Sequence, residues 1–556
     1  MLVLQDGAPA MEGFTATATY ADGSTADVTA DVMFTVDKAL GAFSGAELTM
    51  SSAGQTTVTA MLGDATGSAT VIAQLEGTRV DPTLPPNTPG LFGSGATEDP
   101  ARAPTVVYPP ADVIVPRNLG DFEVHWTDAS SNNVYEVSLA GPYVDLKIYV
   151  PGGNGVGGGP DPSWTSFLPN EWMAAVGNEP SLTYQVRGAD STMPGTVGSA
   201  PAAQAQLSNE VMQGGIYYWT TGGSASPEGI YRHDMSTPQT PAQPFATITQ
   251  YATPPSAMGP GRCIACHVLS RDGSKMAITW DGGDGAADMV DVRSQTFEDG
   301  QPAMTTYTAA NAWNFGTFSP DGTQFLSVHD GNLVVRDEGT QTVLGMMMSA
   351  GWVTHPDLSP DGTMLVYTRP TAPNCDWAFG SGQIYIRTYD QATMSFGPET
   401  PLVSDANNNY YPSFSPDGKW VVFNRSSDNS DQGAYNNPSA TVWVVPATIS
   451  ATPPAAIHLA ALDTATAGLT NSWGRWAPFA QTFGPANRSM FWITISSKRD
   501  FGVRLVGAQR PQLWMTPFFP DQAAIGADPS GPGFWLPFQN IDSSNHIAQW
   551  TQAIIQ

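Results

Sequence analysis

Apolar and polar residues alternate with a period of two along most of this chain, the pattern of half-buried strands. FTATATY (14–20) sets Phe14, Ala16, Ala18 and Tyr20 against three threonines, and ADGS follows as a turn. The same alternation returns in VTADVMFTV (28–36), TTVTAML (56–62) and SATVIAQL (68–75). About seven short strands in such a length predict a sandwich over residues 1–78. Residues 79–105 are rich in Pro and Gly and read as a linker. FEVHWTD (122–128), VYEVSLAG (134–141), DLKIYV (145–150) and LTYQVRGAD (182–190) predict a second sandwich over 106–210. The chain as a whole reads as all-β.

From about residue 211 the pattern repeats. FSPDGTQFLSV (318–328), LSPDGTMLVYT (358–368) and FSPDGKWVVFN (414–424) are copies of one motif. LSRDGSKMAIT (269–279) and WAPFAQTF (476–483) are degenerate copies. Pro fixes φ, Asp can bond its own backbone and Gly takes positive φ, so the motif is a strand–turn–strand unit. Serines 270, 319, 359 and 415 are separated by 49, 40 and 56 residues, the span of a four-stranded propeller blade. Three strands, GGIYYWTT (214–221), GIYRHDM (229–235) and PFATITQ (244–250), precede the first copy without an inner partner. NIDSSNHIAQWTQAII (540–555) lies at the far end with nothing after it, and is expected to supply that partner. The expectation is a six-bladed β-propeller over 211–556, its first blade closed by the C-terminal strand, which removes the sheet edges.

These repeats resemble the TolB-type propeller family over roughly 340 residues. The stretch TATATYADGSTADVTADVMFTV with AGQTTVTA resembles the bacterial Ig-like (group 2) family, and the second sandwich loosely resembles fibronectin type III domains. The Ig-like resemblance implies a surface or secreted spacer or adhesion module without chemistry. A propeller serves many roles, so that resemblance implies a scaffold.

Charge narrows the partners. Fifty acidic against 22 basic residues give a net charge of −28, which repels nucleic acid and anionic lipid. No apolar run reaches the roughly 18–20 residues of a membrane helix. MLVLQDGAPA has neither a basic nor an apolar leader region, so the chain is expected either to begin after a removed leader, through which lipid or surface anchoring is possible, or to be a truncated piece. An extracytoplasmic site (periplasm, outer surface or secreted) in a bacterium is the expectation. No GxSxG elbow is present, and enzymatic activity is the less favoured reading. Gly153–Gly158 matches GxGxxG, but no βαβ unit surrounds it and Pro160 and Pro162 follow, so a hairpin loop is expected.

Only three cysteines occur, and two fall in CIACH, residues 263–267. C-x-x-C-H is the signal for c-type haem attachment: Cys263 and Cys266 would form thioethers, and His267 would ligate the iron. Such a site would make the chain an exported c-type cytochrome with one covalent haem c, serving electron transfer or the sensing of redox state or ligand. Its redox partner is not readable. The pentapeptide is also compatible with buried packing, a Cys2His metal site or a redox dithiol. The alternative function is a haem-free surface scaffold that binds protein or glycan. Aligned on the turn serine, Cys266 stands over His355 and Tyr411, in the lead-in to an inner strand at the channel mouth. His546 falls over Tyr410 and is the first candidate for a distal iron ligand, with Met258 and His355 as alternatives. Arg262 is a candidate propionate partner. Cys375 reads as a buried structural thiol.

Overall fold

The computed structural model describes residues 1–221, 226–249, 264–280, 287–292, 304–306, 313–428, 437–463, 468–507 and 510–554. Strands dominate, and the described α-helices have eight, four and five residues. The chain divides into two compact units, one of residues 1–211 with 500–506, the other of 212–499 with 507–556.

In the first unit the long strand Ala65–Val80 is the spine. Its first half pairs antiparallel with Gly54–Leu62, and its second half pairs parallel with Leu2–Gln5 and Val144–Pro151. The boundary expected at residue 78 therefore falls inside a strand, and one sheet runs through both expected sandwiches. Sixteen residues give the strand length enough to hold partners from both sides. The expected linker at 79–105 also contributes to the core. Phe92, 5% exposed, packs on Tyr149 at 5.6 Å, and its carbonyl accepts from Arg187 Nη1 at 3.1 Å. The GxGxxG stretch is a loop between two strands, with Gly153 at φ 78° and Gly158 at 96°. Its Asn154 side chain pairs both ways with the backbone of Trp164, at 2.8 and 2.9 Å.

Among the described residues of the second unit, six antiparallel sheets have the order of a β-propeller. The first is Gln243–Thr247, Gly229–Asp234, Gly215–Thr220 and Asn545–Thr551. Asn545–Thr551 pairs antiparallel with Gly215–Thr220, putting Trp550 opposite Ile216. The next five sheets open with Ile264–Leu269, Phe315–Phe318, Thr354–Leu358, Asn408–Phe414 and Ser472–Trp476. Each of these first strands touches the next, and Ser472–Trp476 and Ile264–Leu269 both touch Asn545–Thr551, so the six form a closed ring. Apolar clusters fill the gaps between sheets, such as Val366, Ile386, Phe414 and Val421 between the fourth and fifth.

The repeated turn has one construction. The buried Oγ of Ser270, Ser319, Ser359 and Ser415 donates to the Asp two residues on, at 2.6–2.7 Å. It also accepts the backbone N–H five residues on, at 2.9–3.0 Å. Gly273, Gly322, Gly362 and Gly418 follow at φ 70–74°, the left-handed region that glycine enters without a Cβ penalty.

Candidate functional site

Inner strands of five sheets carry a register shift at the same place. In four of them the extra residue sits at positive φ: Ile547 (54°), His355 (49°), Tyr411 (53°) and Trp473 (56°). This is the geometry of a β-bulge, which re-aims a side chain that a regular strand would alternate away. Bulky residues rarely adopt this backbone, at a cost of roughly 1–3 kcal/mol each. In these five sheets the shift points one side chain into the central channel, and Phe315 takes the same position from a regular strand.

Two tiers result. The upper tier is Cys266, Phe315, His355, Tyr411, Trp473 and Ile547, one from each sheet, around a void of about 30 Å³. Tyr411 stacks on Trp473 with centroids 3.9 Å apart, and His355 lies 4.2 Å from both Tyr411 and Phe315. His355 Nδ1 accepts the Tyr411 N–H at 3.4 Å. Burial holds the His355 imidazole well below its ordinary pKa, and the Arg475 charge adds to this.

The expected haem residues divide around this tier. Cys263, Arg262 and Met258 lie outside the described residues. Cys266 is half-buried and packs on the cluster of Ala277, Met289, Trp313, Phe318 and Phe325, and burial pushes its thiol pKa up. His267 is 2% exposed, and its Nε2 lies 3.4 Å from the Tyr217 carbonyl. Cys266, His267 and His355 border the same void. His546 does not line it: its ring lies 5.5 Å from Trp219, and burial with nearby Lys498 lowers its pKa to about 3. The physical reason is the bulge, which gives the lumen position to the next residue, Ile547. In this arrangement the His267 imidazole is turned toward the Tyr217 carbonyl, while Cys263, the other half of the motif, lies outside the described residues. Among the described residues no three His, Cys, Asp or Glu side chains gather as a metal site.

The lower tier is two residues further along each inner strand: Val268, Thr317, Asp357, Ser413, Arg475 and Gln549. With Arg271 these border a cavity of about 110 Å³. Asp357 Oδ2 accepts the Phe414 N–H at 2.7 Å and Oδ1 accepts from Thr317 Oγ1 at 3.4 Å. Burial raises the Asp357 pKa, opposed by the charges of Arg475 and Arg271. Arg475 donates Nη1 to the Gly474 carbonyl at 3.0 Å and lies 5.4 Å from the Trp473 ring centre. Arg271 donates Nη2 to the Leu358 carbonyl at 3.2 Å. Burial lowers both guanidinium pKa values, and Asp357 partly offsets this.

Sequence reasoning missed Arg271, Asp357 and Arg475. A signal existed for each. Arg271 stands where the sister turns carry Pro320, Pro360 and Pro416. Asp357 and Arg475 are the charged members of an aligned position otherwise held by Val268, Thr317, Ser413 and Gln549.

No family model matches the sequence, and no curated protein matches it. Among solved structures, the chain is similar to TolB from Acinetobacter baumannii, with 15% identity and a TM-score of 0.38, covering 68% of this chain and 84% of that one. A structure assigned as TolB from Agrobacterium tumefaciens has 15% identity and a TM-score of 0.31, covering 61% and 98%. Hydrazine synthase of Kuenenia stuttgartiensis has 15% identity and a TM-score of 0.29, covering 48% and 73%. Values this low carry no residue roles across. Among the described residues no helix is long and apolar enough to cross a membrane.

Proposed function

We propose that this chain is a non-enzymatic, extracytoplasmic bacterial binding protein. It comprises a six-bladed TolB-like propeller closed by Asn545–Thr551 and a β unit in which one sheet runs through both expected sandwiches, and its channel receives a small ligand. The carrying observation is the lower tier, where every sheet contributes a side chain to one polar cavity of about 110 Å³. Ligand sites of this kind combine apolar walls with a few placed polar groups. Leu269, Phe318, Phe414 and Trp550 supply apolar wall here.

The test is ligand-observed saturation-transfer NMR with acetate, ethylamine, glycine and glycerol. At least one solute should show contact with the wild-type protein and lose it in Ser413→Phe, which fills the cavity. If no solute shows a contact sensitive to Ser413→Phe, the channel reading fails.

A second reading is favoured by the pentapeptide itself: covalent haem c through Cys263 and Cys266, with His267 on the iron. A bound haem would supply one-electron chemistry or a ligand-sensing iron. It requires the His267 ring to leave the Tyr217 carbonyl and the upper tier to open. Expression in a host with haem-attachment machinery decides it. A Soret band that survives acid–acetone extraction supports haem, and a colourless product removes this reading. The two readings occupy different tiers, so neither outcome settles the other.

A further inference from the structure

We infer that the lower-tier cavity is a site for a small monocarboxylate, gripped by Arg475 and Arg271. This rests on the channel-binding reading and names its ligand class.

The charge balance carries the inference. Two guanidiniums and one carboxylate line the cavity, leaving a surplus of one positive charge inside a chain of net charge −28. Asp357 does not occupy the guanidinium donors by pairing with them. Among the described residues it makes no ion pair, and its oxygens are engaged by Phe414 N–H and Thr317 Oγ1. Each guanidinium carries five N–H donors in a planar fork. Arg475 spends a donor on the Gly474 carbonyl, and Arg271 spends one on that of Leu358. The remaining donors match the two oxygens of a carboxylate better than a point anion does.

The placement of both cations departs from the repeat. The turn accepts Pro at position 271 and does not require Arg, since its sisters carry Pro320, Pro360 and Pro416. No main-chain bond depends on the Arg271 N–H among the described residues; its carbonyl accepts from Gln552 N–H at 2.9 Å. The arginine therefore adds nothing the turn requires, and its side chain reaches across to the fourth sheet, at Leu358. Arg475 replaces the small or neutral residues that sheets two, three, five and one carry at its position. Size sets the upper bound on the ligand. About 110 Å³ is well under the roughly 300 Å³ lower range of drug-sized pockets, so a short acid fits, with its alkyl end against Val268 and Phe318.

The experiment is isothermal titration of the full chain with acetate and propionate, with ethylamine and chloride as comparison solutes at constant ionic strength. Variants are Arg475→Gln, Arg475→Lys and Arg271→Pro. The last recreates the turn of the sister sheets, so it should fold, with a thermal midpoint lowered only by loss of the bond to the Leu358 carbonyl. Acetate and propionate are expected to bind the wild type. Affinity should fall at least about 10-fold in Arg475→Gln and several-fold in Arg271→Pro. Arg475→Lys should recover part of the loss. Equal carboxylate binding by wild type and folded Arg271→Pro and Arg475→Gln overturns the inference. So does chloride binding as tightly as acetate, which marks a generic anion trap. Binding of ethylamine without acetate, sensitive to Ser413→Phe, overturns the ligand class and leaves the channel reading standing. No binding of any solute overturns both.

Discussion

Ser359→Ala isolates what the repeated turn contributes. Its hydroxyl donates to Asp361 Oδ1 at 2.6 Å and accepts the Met364 N–H at 2.9 Å, while the side chain is 1% exposed. The substitution removes one charge-assisted bond and strands one N–H. A charge-assisted bond contributes roughly 1.5–3 kcal/mol and a stranded buried donor costs roughly 1–3. Asp361 faces solvent and water can replace the first partner, so the expected loss is about 2 kcal/mol. Neighbouring turns touch, because a Cβ on Gly362 would come within 3.1 Å of Pro320. Turns two sheets apart do not share that contact, so Ser319→Ala with Ser415→Ala should lose about 4 kcal/mol additively. Urea unfolding followed by tryptophan fluorescence reads this as a lower midpoint at unchanged slope. A loss under about 0.5 kcal/mol in Ser359→Ala would show that water satisfies the Met364 N–H, and would refute the reasoning.

Three further outcomes follow from the same contacts. Trp473, 6% exposed and at φ 56°, should lose roughly 3–5 kcal/mol on replacement by Ala. Trp473→Gly should lose about 1 kcal/mol less than Trp473→Ala, because glycine accepts that backbone freely; the reverse order would show the bulge is unstrained. The buried imidazoles of His546, lowered to about 3, and His233, lowered to about 4, bind protons more readily in the unfolded chain. Their contribution is complete above the ordinary value of 6.5 and lost as pH falls toward the folded values. The slope is about 1.4 kcal/mol per pH unit for each group. Urea midpoints should therefore drop between pH 7 and 5 and drop less in His546→Phe; equal drops would place another group in charge. Deleting residues 545–556 bares the edge of Gly215–Thr220, and should convert the chain to an aggregating species by light scattering; a monomer with wild-type melting would contradict this.

The turn was legible because its chemistry repeats: a serine, an aspartate and a glycine at fixed offsets leave the same trace four times. The pairing of Asn545–Thr551 with Gly215–Thr220 was legible from counting strands that lacked a neighbour. The lumen position of Cys266 followed from alignment on the turn serine. His546 shows where a sound alignment is not enough: it does stand over Tyr410, but the shared bulge gives the lumen position to the next residue, Ile547, as it does to Tyr411. The extension of one sheet through residues 65–80 was hidden because half its pairing is with strands more than 60 residues away. Arg271, Asp357 and Arg475 were hidden for the opposite reason to the turn. Each is a single departure from a repeat, and departures converge only once the ring is closed.

That closure has a consequence for how the chain comes off the ribosome. Gly215–Thr220 emerges more than 300 residues before Asn545–Thr551, the strand that completes its sheet. For most of synthesis the first sheet must wait with an open edge, and its ladder cannot be secured by anything local. Such long-range pairing folds slowly and leaves strands exposed to partners on other chains. Asn545–Thr551 thus acts as a latch on nascent protein, and a product cut short before it would be released as an open ring.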